Sequence, residues 1–360
     1  MSGGKRDVPV KELHNEDGHK RKLLYEVSLI RPFVIFLLVV MHSFTKTSAG
    51  GLRTNDYQLP GIYQWLCHFI SGFRIETIAL VAGYVFAYQS IVLKRKYELK
   101  PFVVKKFKRL IIPMLFFGLF YYVMFLYTPS TFSVSSFLLQ WFSGCGHLWF
   151  LPMLFWCFLT IWLIDHYCLS SWKTLVVLAA FAILPLPFSR LPLGLAHLPH
   201  FLFFVYGGYF LYEQRLFILR HGLSIKAITS FWLLYIILVI VRQTLFDSTL
   251  MFSQLWHAFL SSMDLLISCV GIIALYCTIY RKTKNYSYIP KSWIIRSSDY
   301  CYGVYVFHQF ILVYLYHYTN IVTNVNPYLL PWIGLVSSFS ISWCMTNLTL
   351  RTRFGRFLIG

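Results

Sequence analysis

The sequence predicts an all-α membrane protein, a polytopic helix bundle of about ten transmembrane helices with both termini in the cytoplasm. Three observations carry this. Apolar residues make up 58% of the 360-residue chain and charged residues 12%, with a mean hydropathy of +0.61, whereas soluble domains are about a quarter charged. Apolar runs of near-membrane length recur along the whole chain. The cations between those runs fall almost entirely on alternate loops.

The elements follow in order. Residues 1–26 are polar and carry Lys5, Arg6, Lys11, Lys20, Arg21 and Lys22, which reads as a cytoplasmic tail before an uncleaved first span at 27–45. Segment 58–72 is expected as an amphipathic outer helix leading into a second span at 73–92. Further spans are expected near 108–127, 147–166, 174–189, 199–213, 226–245, 257–280, 300–319 and 328–350, before a cytoplasmic tail at 351–360. The fifth and sixth are short and hold Pro185, Pro187, Gly207 and Gly208. They are expected to be tilted, broken or re-entrant, which a bilayer tolerates where protein or a cavity covers the backbone.

Loop charge supports the frame. The inner loops would hold Lys94, Arg95, Lys96, Lys100, Lys105, Lys106, Lys173, Arg215, Arg220, Lys226, Arg281, Lys282, Lys284, Lys291 and Arg296, with Arg351, Arg353 and Arg356 in the C-terminal tail. The outer loops would hold Lys46, Arg53, Arg190 and Arg242. The net charge of +19 is thus spread in short clusters at one membrane face, which argues against nucleic-acid binding. Of eight cysteines, Cys157, Cys269, Cys277, Cys301 and Cys344 lie inside apolar runs; no CxxC pair or His partner at ligand spacing is present, so no metal is expected. There is no internal repeat, and residues 27–350 read as one membrane domain.

Ionisable residues inside spans are expensive and point to function. Here they are Arg31, His42, Arg74, Glu76, Asp264 and His308. Arg31 and His42 are eleven positions apart, which returns to within roughly 20° on a helix and separates them by roughly 16 Å along its axis. In the expected topology Arg31 is near the inner face, while His42, Arg74, Glu76 and His147 share the outer half and Asp264 and His308 lie nearer mid-depth. An imidazole suits general-base work near neutral pH, and a histidine bonded for packing is the alternative. His257, Ser261, Asp264, Ser268 and Gly271 share one helix face, so Asp264 is either functional or a structural hydrogen-bonding residue. Ser338, Ser342 and Thr346 recur every fourth position and read as a close-packing stripe. Lys105, Lys106, Lys108 and Arg109, before Pro113, read either as a positive-inside anchor or as a phosphate clamp.

These residues carry a resemblance. Arg31 through His42 resembles the first-span signature of the acyltransferase type 3 membrane family, an Arg and a His eleven apart. Phe73-Arg74-Ile75-Glu76 through Ala82-Gly83-Tyr84 is similar to its second-span motif, with Ala82 where Ser is usual. Lys106-Phe107-Lys108-Arg109 before Pro113 resembles its basic R-x-x-R motif, Lys106 replacing the first Arg. His147-Leu148-Trp149-Phe150-Leu151-Pro152 is similar to its fourth-span opening, and Ser298 through His308, including Tyr305, to its late Tyr-Gly…His motif. The similarity covers roughly residues 25–350.

The resemblance implies O-acyl transfer from cytoplasmic acyl-CoA, most often acetyl-CoA, to a hydroxyl of a surface glycan or lipid-linked sugar in a bacterial inner membrane. Acyl-CoA would be a co-substrate, with no bound cofactor. His42 would be the general base or an acyl carrier. Glu76 or Asp264 would orient it, and Arg31 and Arg74 would stabilise the oxyanion or hold the donor. Lys105, Lys106, Lys108 and Arg109 would grip the donor phosphates, and His147, Trp149, Asp264, Tyr305 and His308 would support the acceptor. The rival is a glycan or lipid-linked sugar transporter without chemistry, since intramembrane charges and broken helices mark transporters too; a sensor would need an output domain, and none is recognisable.

Overall fold

A computed structural model describes residues 11–14, 20–45, 60–95, 97–184, 191–222, 224–246, 254–284 and 292–360. The chain is an all-α polytopic membrane helix bundle. Its tail adds one antiparallel ribbon, β1 (Lys11–His14) paired with β2 (Lys20–Leu23), with Glu12 opposite Lys22 and Leu13 opposite Arg21.

The first span is α1 (Tyr25–Phe44). It contains Pro32, whose missing N–H leaves the Ser28 carbonyl without its helical donor one turn before Arg31. The amphipathic α2 (Gly61–Ser71) leads into α3 (Arg74–Ile91), close to the expected boundaries. The next rod departs from expectation. Its helix begins nine residues early, as α4 (Leu99–Lys106), passes through a wide π turn at Phe107–Ile111, and continues as α5 (Ile112–Tyr121) into a second π turn at Tyr122–Leu126. The basic motif therefore sits inside a continuous helical stretch.

Short α6 (Val134–Ser143) precedes a 3₁₀ turn, Gly146–Trp149, and α7 (Phe150–His166). Then come α8 (Trp172–Ile183), α9 (Leu198–Gly222), α10 (Ile225–Phe246), α11 (Gln254–Lys284), α12 (Ser292–Tyr318), short α13 (Ile321–Asn324), α14 (Leu330–Arg351) and α15 (Arg353–Ile359). The expected fifth span is shorter, since α8 has 12 residues and 185–189 lies outside the described residues. The sixth is longer, at 25 residues.

Among the described residues, seven helical stretches are long and apolar enough to cross a membrane: Tyr25–Phe44, Gly61–Ile91, Leu99–Leu126, Gly146–His166, Ile225–Leu245, Trp256–Thr283 and Leu330–Arg351. The other three expected spans fall on α8, α9 and α12, which are shorter or more polar.

Helix α1 is central. It packs against α2, α3, α11, α12 and α14, so its polar residues face protein on most sides. Helices α3 and α9 approach so closely that a Cβ at Gly83 would strike the Val205 carbonyl, and one at Gly208 would strike the Leu80 carbonyl. Such reciprocal small-residue contact lets membrane helices meet backbone to backbone. The stripe of Ser338, Ser342 and Thr346 is fully buried along the seam between α14 and α12, with Thr346 set against Gly303.

Candidate active site

Three imidazoles from three elements meet beside α1. His42 comes from its last turn, His147 from the 3₁₀ turn before α7, and His308 from the middle of α12. The His42 and His308 rings are 5.3 Å apart between centroids, and those of His147 and His308 are 5.0 Å apart. All three are buried, His308 completely.

Backbone carbonyls set two of the tautomers. A carbonyl oxygen only accepts, so a ring nitrogen bonded to one carries the proton. His308 Nδ1–H donates to the Tyr305 carbonyl at 2.7 Å, and His147 Nε2–H donates to the Val306 carbonyl at 3.0 Å. The lone pairs are therefore on His308 Nε2 and His147 Nδ1 while both rings are neutral. Neither atom has a hydrogen-bond partner among the described residues, although both are buried. Such atoms are rare in folded proteins and call for a ligand, a water or a chemical role. Tyr305 braces the group: its hydroxyl donates to the His147 carbonyl at 2.5 Å, and Ser338 donates to the His308 carbonyl at 2.9 Å.

Arg74, at the start of α3, is buried and within electrostatic range of His308 and Glu76. Its Nε and Glu76 Oε2 are buried without partners among the described residues. Glu76 Oε1 lies 3.4 Å from Nε2 of His200 on α9. Trp149 packs against His197, the rings tilted by 44° with centroids 4.2 Å apart. Neither histidine was selected from the sequence. Both stand in His197-Leu-Pro-His200 at the opening of a span, and that clustering was the available signal.

Asp264 does not join this group. Arg242 on α10 donates to both its oxygens, Nε to Oδ1 at 2.8 Å and Nη2 to Oδ2 at 3.2 Å. The expected outer-loop Arg242 is thus inside a helix, and its ion pair with Asp264 ties α10 to α11. On the same α11 face, Ser268 bonds back to the Asp264 carbonyl at 2.9 Å, which satisfies it within the helix.

The second centre lies toward the other end of α1. Arg31, Lys106 and Arg109 are within electrostatic range of one another, with Lys105 beside Lys106 and Asp299 beside Arg31. The Lys106 ammonium sits 3.2 Å from the Phe158 ring centroid, a cation–π contact that holds it at α7. Lys105, Lys108 and Arg109 are exposed. Pro113 has no N–H for the carbonyl four residues back, which is that of Arg109. The Tyr302 hydroxyl donates to that carbonyl at 3.0 Å and so couples the basic turn to α12. Among the described residues, no group of three or more His, Cys, Asp or Glu side chains is placed to hold a metal ion.

A family model described as an acyltransferase domain matches residues 24–347, nearly the whole chain. No curated protein and no solved structure matches it. Use of an acyl-CoA-type co-substrate is typical of that family. The chain belongs to the acyltransferase type 3 family, and it is a membrane-embedded acyltransferase acting on surface carbohydrate or lipid substrates.

Proposed function

We propose that this protein transfers an acetyl group from cytoplasmic acetyl-CoA to a hydroxyl of a surface glycan or its lipid-linked precursor, in a bacterial inner membrane crossed ten times with both termini inside. The observation that carries this reading is the pairing of two centres on α1. A basic cluster gathers around Arg31, and a buried three-histidine cluster gathers around His42. Their separation of roughly 16 Å along the helix suits a donor whose charged end and reacting end are far apart.

In this mechanism Lys106 and Arg109, helped by Arg31 and Lys105, hold the donor phosphates through charge-assisted hydrogen bonds. The exposed Lys108 adds long-range attraction. The thioester carbonyl lies beside His42. His42 takes the proton of the acceptor hydroxyl as its oxygen attacks the carbonyl carbon. The new C–O bond forms, the C–S bond breaks, and the proton passes to the departing thiolate. Arg74 stabilises the negative charge that develops on the carbonyl oxygen. Glu76 is held by His200 and offers its free oxygen to an acceptor hydroxyl. His147, Tyr305 and Trp149 form the wall next to it.

The test is reconstitution. Vesicles containing the protein, acetyl-CoA and a surface-glycan extract should release CoA thiol in step with acetyl gain on the glycan by mass spectrometry. His42→Gln should remove both signals. Glycan crossing the membrane with no thiol release would instead establish transport.

A further inference from the structure

On the acyl-transfer reading above, on which this rests, we infer that Arg74, Glu76, His200 and Trp149 form a subsite for a neutral pyranose ring of the acceptor. The acceptor would then be selected as an uncharged sugar rather than as a lipid or a phosphate-bearing group.

The residues come from three elements. Arg74 and Glu76 open α3, Trp149 closes the 3₁₀ turn before α7, and His200 stands in the first turn of α9, three residues after His197. Contacts link them in order. His308 is within electrostatic range of Arg74, and Arg74 of Glu76. Glu76 Oε1 lies 3.4 Å from His200 Nε2, and His200 is within electrostatic range of His197, which packs on Trp149. Exposure falls along the same order: His197 is exposed, the side chains of His200 and Glu76 are 34% and 14% exposed, and Arg74 is buried. This is an entry that ends at the histidine cluster. Its rim is fixed in place. Gly194 has a φ of +73°, and a Cβ there would strike the Met153 backbone on α7, while Trp156 Nε1 donates to the Leu193 carbonyl at 3.2 Å.

Two buried atoms in the series have no partner among the described residues: Arg74 Nε, a donor, and Glu76 Oε2, an acceptor. Such atoms are rare in folded proteins. A hydroxyl donates and accepts at once, so a ring with neighbouring hydroxyls satisfies both. A phosphate only accepts and would set its charge against Glu76, and an ammonium only donates and would set its charge against Arg74. A hydrocarbon chain would satisfy neither. Trp149 supplies the apolar half, since the negative face of an aromatic ring suits the C–H edge of a sugar. A few polar groups beside an aromatic wall are the usual make-up of a small-molecule site. His200 is a positioning residue here: it holds Oε1 and leaves Oε2 to the sugar.

The test is saturation-transfer NMR on the full chain in nanodiscs. The neutral probes are the methyl pyranosides of glucose, galactose and mannose, and the charged probes are methyl glucuronide and methyl glucosaminide. At least one neutral probe should receive saturation at its ring C–H protons, and the charged probes much less. Trp149→Leu should remove that signal, and Glu76→Gln should weaken binding roughly tenfold, as a hydrogen bond to a charged group is lost. In the transfer assay His200→Leu should raise KM for the glycan severalfold and leave KM for acetyl-CoA unchanged. His200→Gln, which still offers an N–H to Glu76, should restore it, and this pair carries the test if Trp149→Leu fails to insert. No saturation of any neutral probe, equal saturation of neutral and charged probes, or an unchanged glycan KM in His200→Leu would overturn the subsite while acyl transfer stands. Sugar binding with the expected dependences but no thiol release from reconstituted vesicles would overturn acyl transfer and keep the sugar site.

Discussion

His308 donates its Nδ1 proton to the carbonyl of Tyr305, three residues back on the same helix, at 2.7 Å. That one bond decides which nitrogen of a completely buried ring carries the lone pair. His308→Asn separates the bond from the lone pair, because an amide N–H can still serve the Tyr305 carbonyl while no basic nitrogen remains. The protein should insert and fold, and transfer should fall on the order of 10² if the lone pair takes part in proton movement. Unchanged turnover in His308→Asn would leave the ring a packing role.

Donor grip is testable apart from chemistry. Lys106→Ala with Arg109→Ala should raise KM for acyl-CoA and leave kcat much less affected, because phosphate contacts are uniform binding. Lys108→Ala should shift KM less than the pair, since the electrostatic links among Arg31, Lys106 and Arg109 do not run through it. A double variant with unchanged KM would mean that these cations serve topology alone.

Tyr302→Phe removes the hydroxyl that serves the Arg109 carbonyl left open by Pro113. Loss of such a bond is worth about 0.5–1.5 kcal/mol. The expected outcome is a lower Tm together with a modest rise in KM for acyl-CoA, as the basic turn loses its tie to α12. A fall in Tm with KM unmoved would confine Tyr302 to stability.

Asp264→Asn should destabilise the α10–α11 pair because Arg242 loses its carboxylate. Asp264 is about half exposed, so the effect should be smaller than for a buried pair. Michaelis constants for donor and acceptor should stay as in the wild type. A selective loss of kcat in a stable Asp264→Asn protein would return Asp264 to the catalytic group.

Topology can be read with reporter fusions. Fusions after Arg109 and after Gly360 should report the cytoplasm, and one near Asn55 the opposite side, because the Lys and Arg excess is one-sided. A fusion at Gly360 on the side opposite Arg109 would require an odd number of crossings.

Much of the frame was legible because bilayer physics writes itself along the chain. A span needs its backbone bonded within itself, so each helix is a local apolar run. The Arg31–His42 face follows from helical periodicity alone. The basic motif was legible in residue type but not in setting. Only the structure places it across the join of α4 and a π turn, where the Arg109 carbonyl is met by Tyr302, 193 residues away.

By itself the sequence determined the class of the molecule, the order of its helical runs, the family motifs and the identity of His42, Arg31 and the basic residues as polar groups in an apolar chain. These depend on neighbours within a few helical turns. Partner choice was decided only in three dimensions. Glu76 and Asp264 looked like equivalent carboxylates near an imidazole, yet one meets His200 and the other Arg242. The rings of His147 and His308, 161 positions apart, meet with centroids 5.0 Å apart because the 3₁₀ turn before α7 and the middle of α12 deliver them to the same level beside α1. A side chain's partner is set by helix packing and rotation, and residues distant in the chain carry no local mark of either.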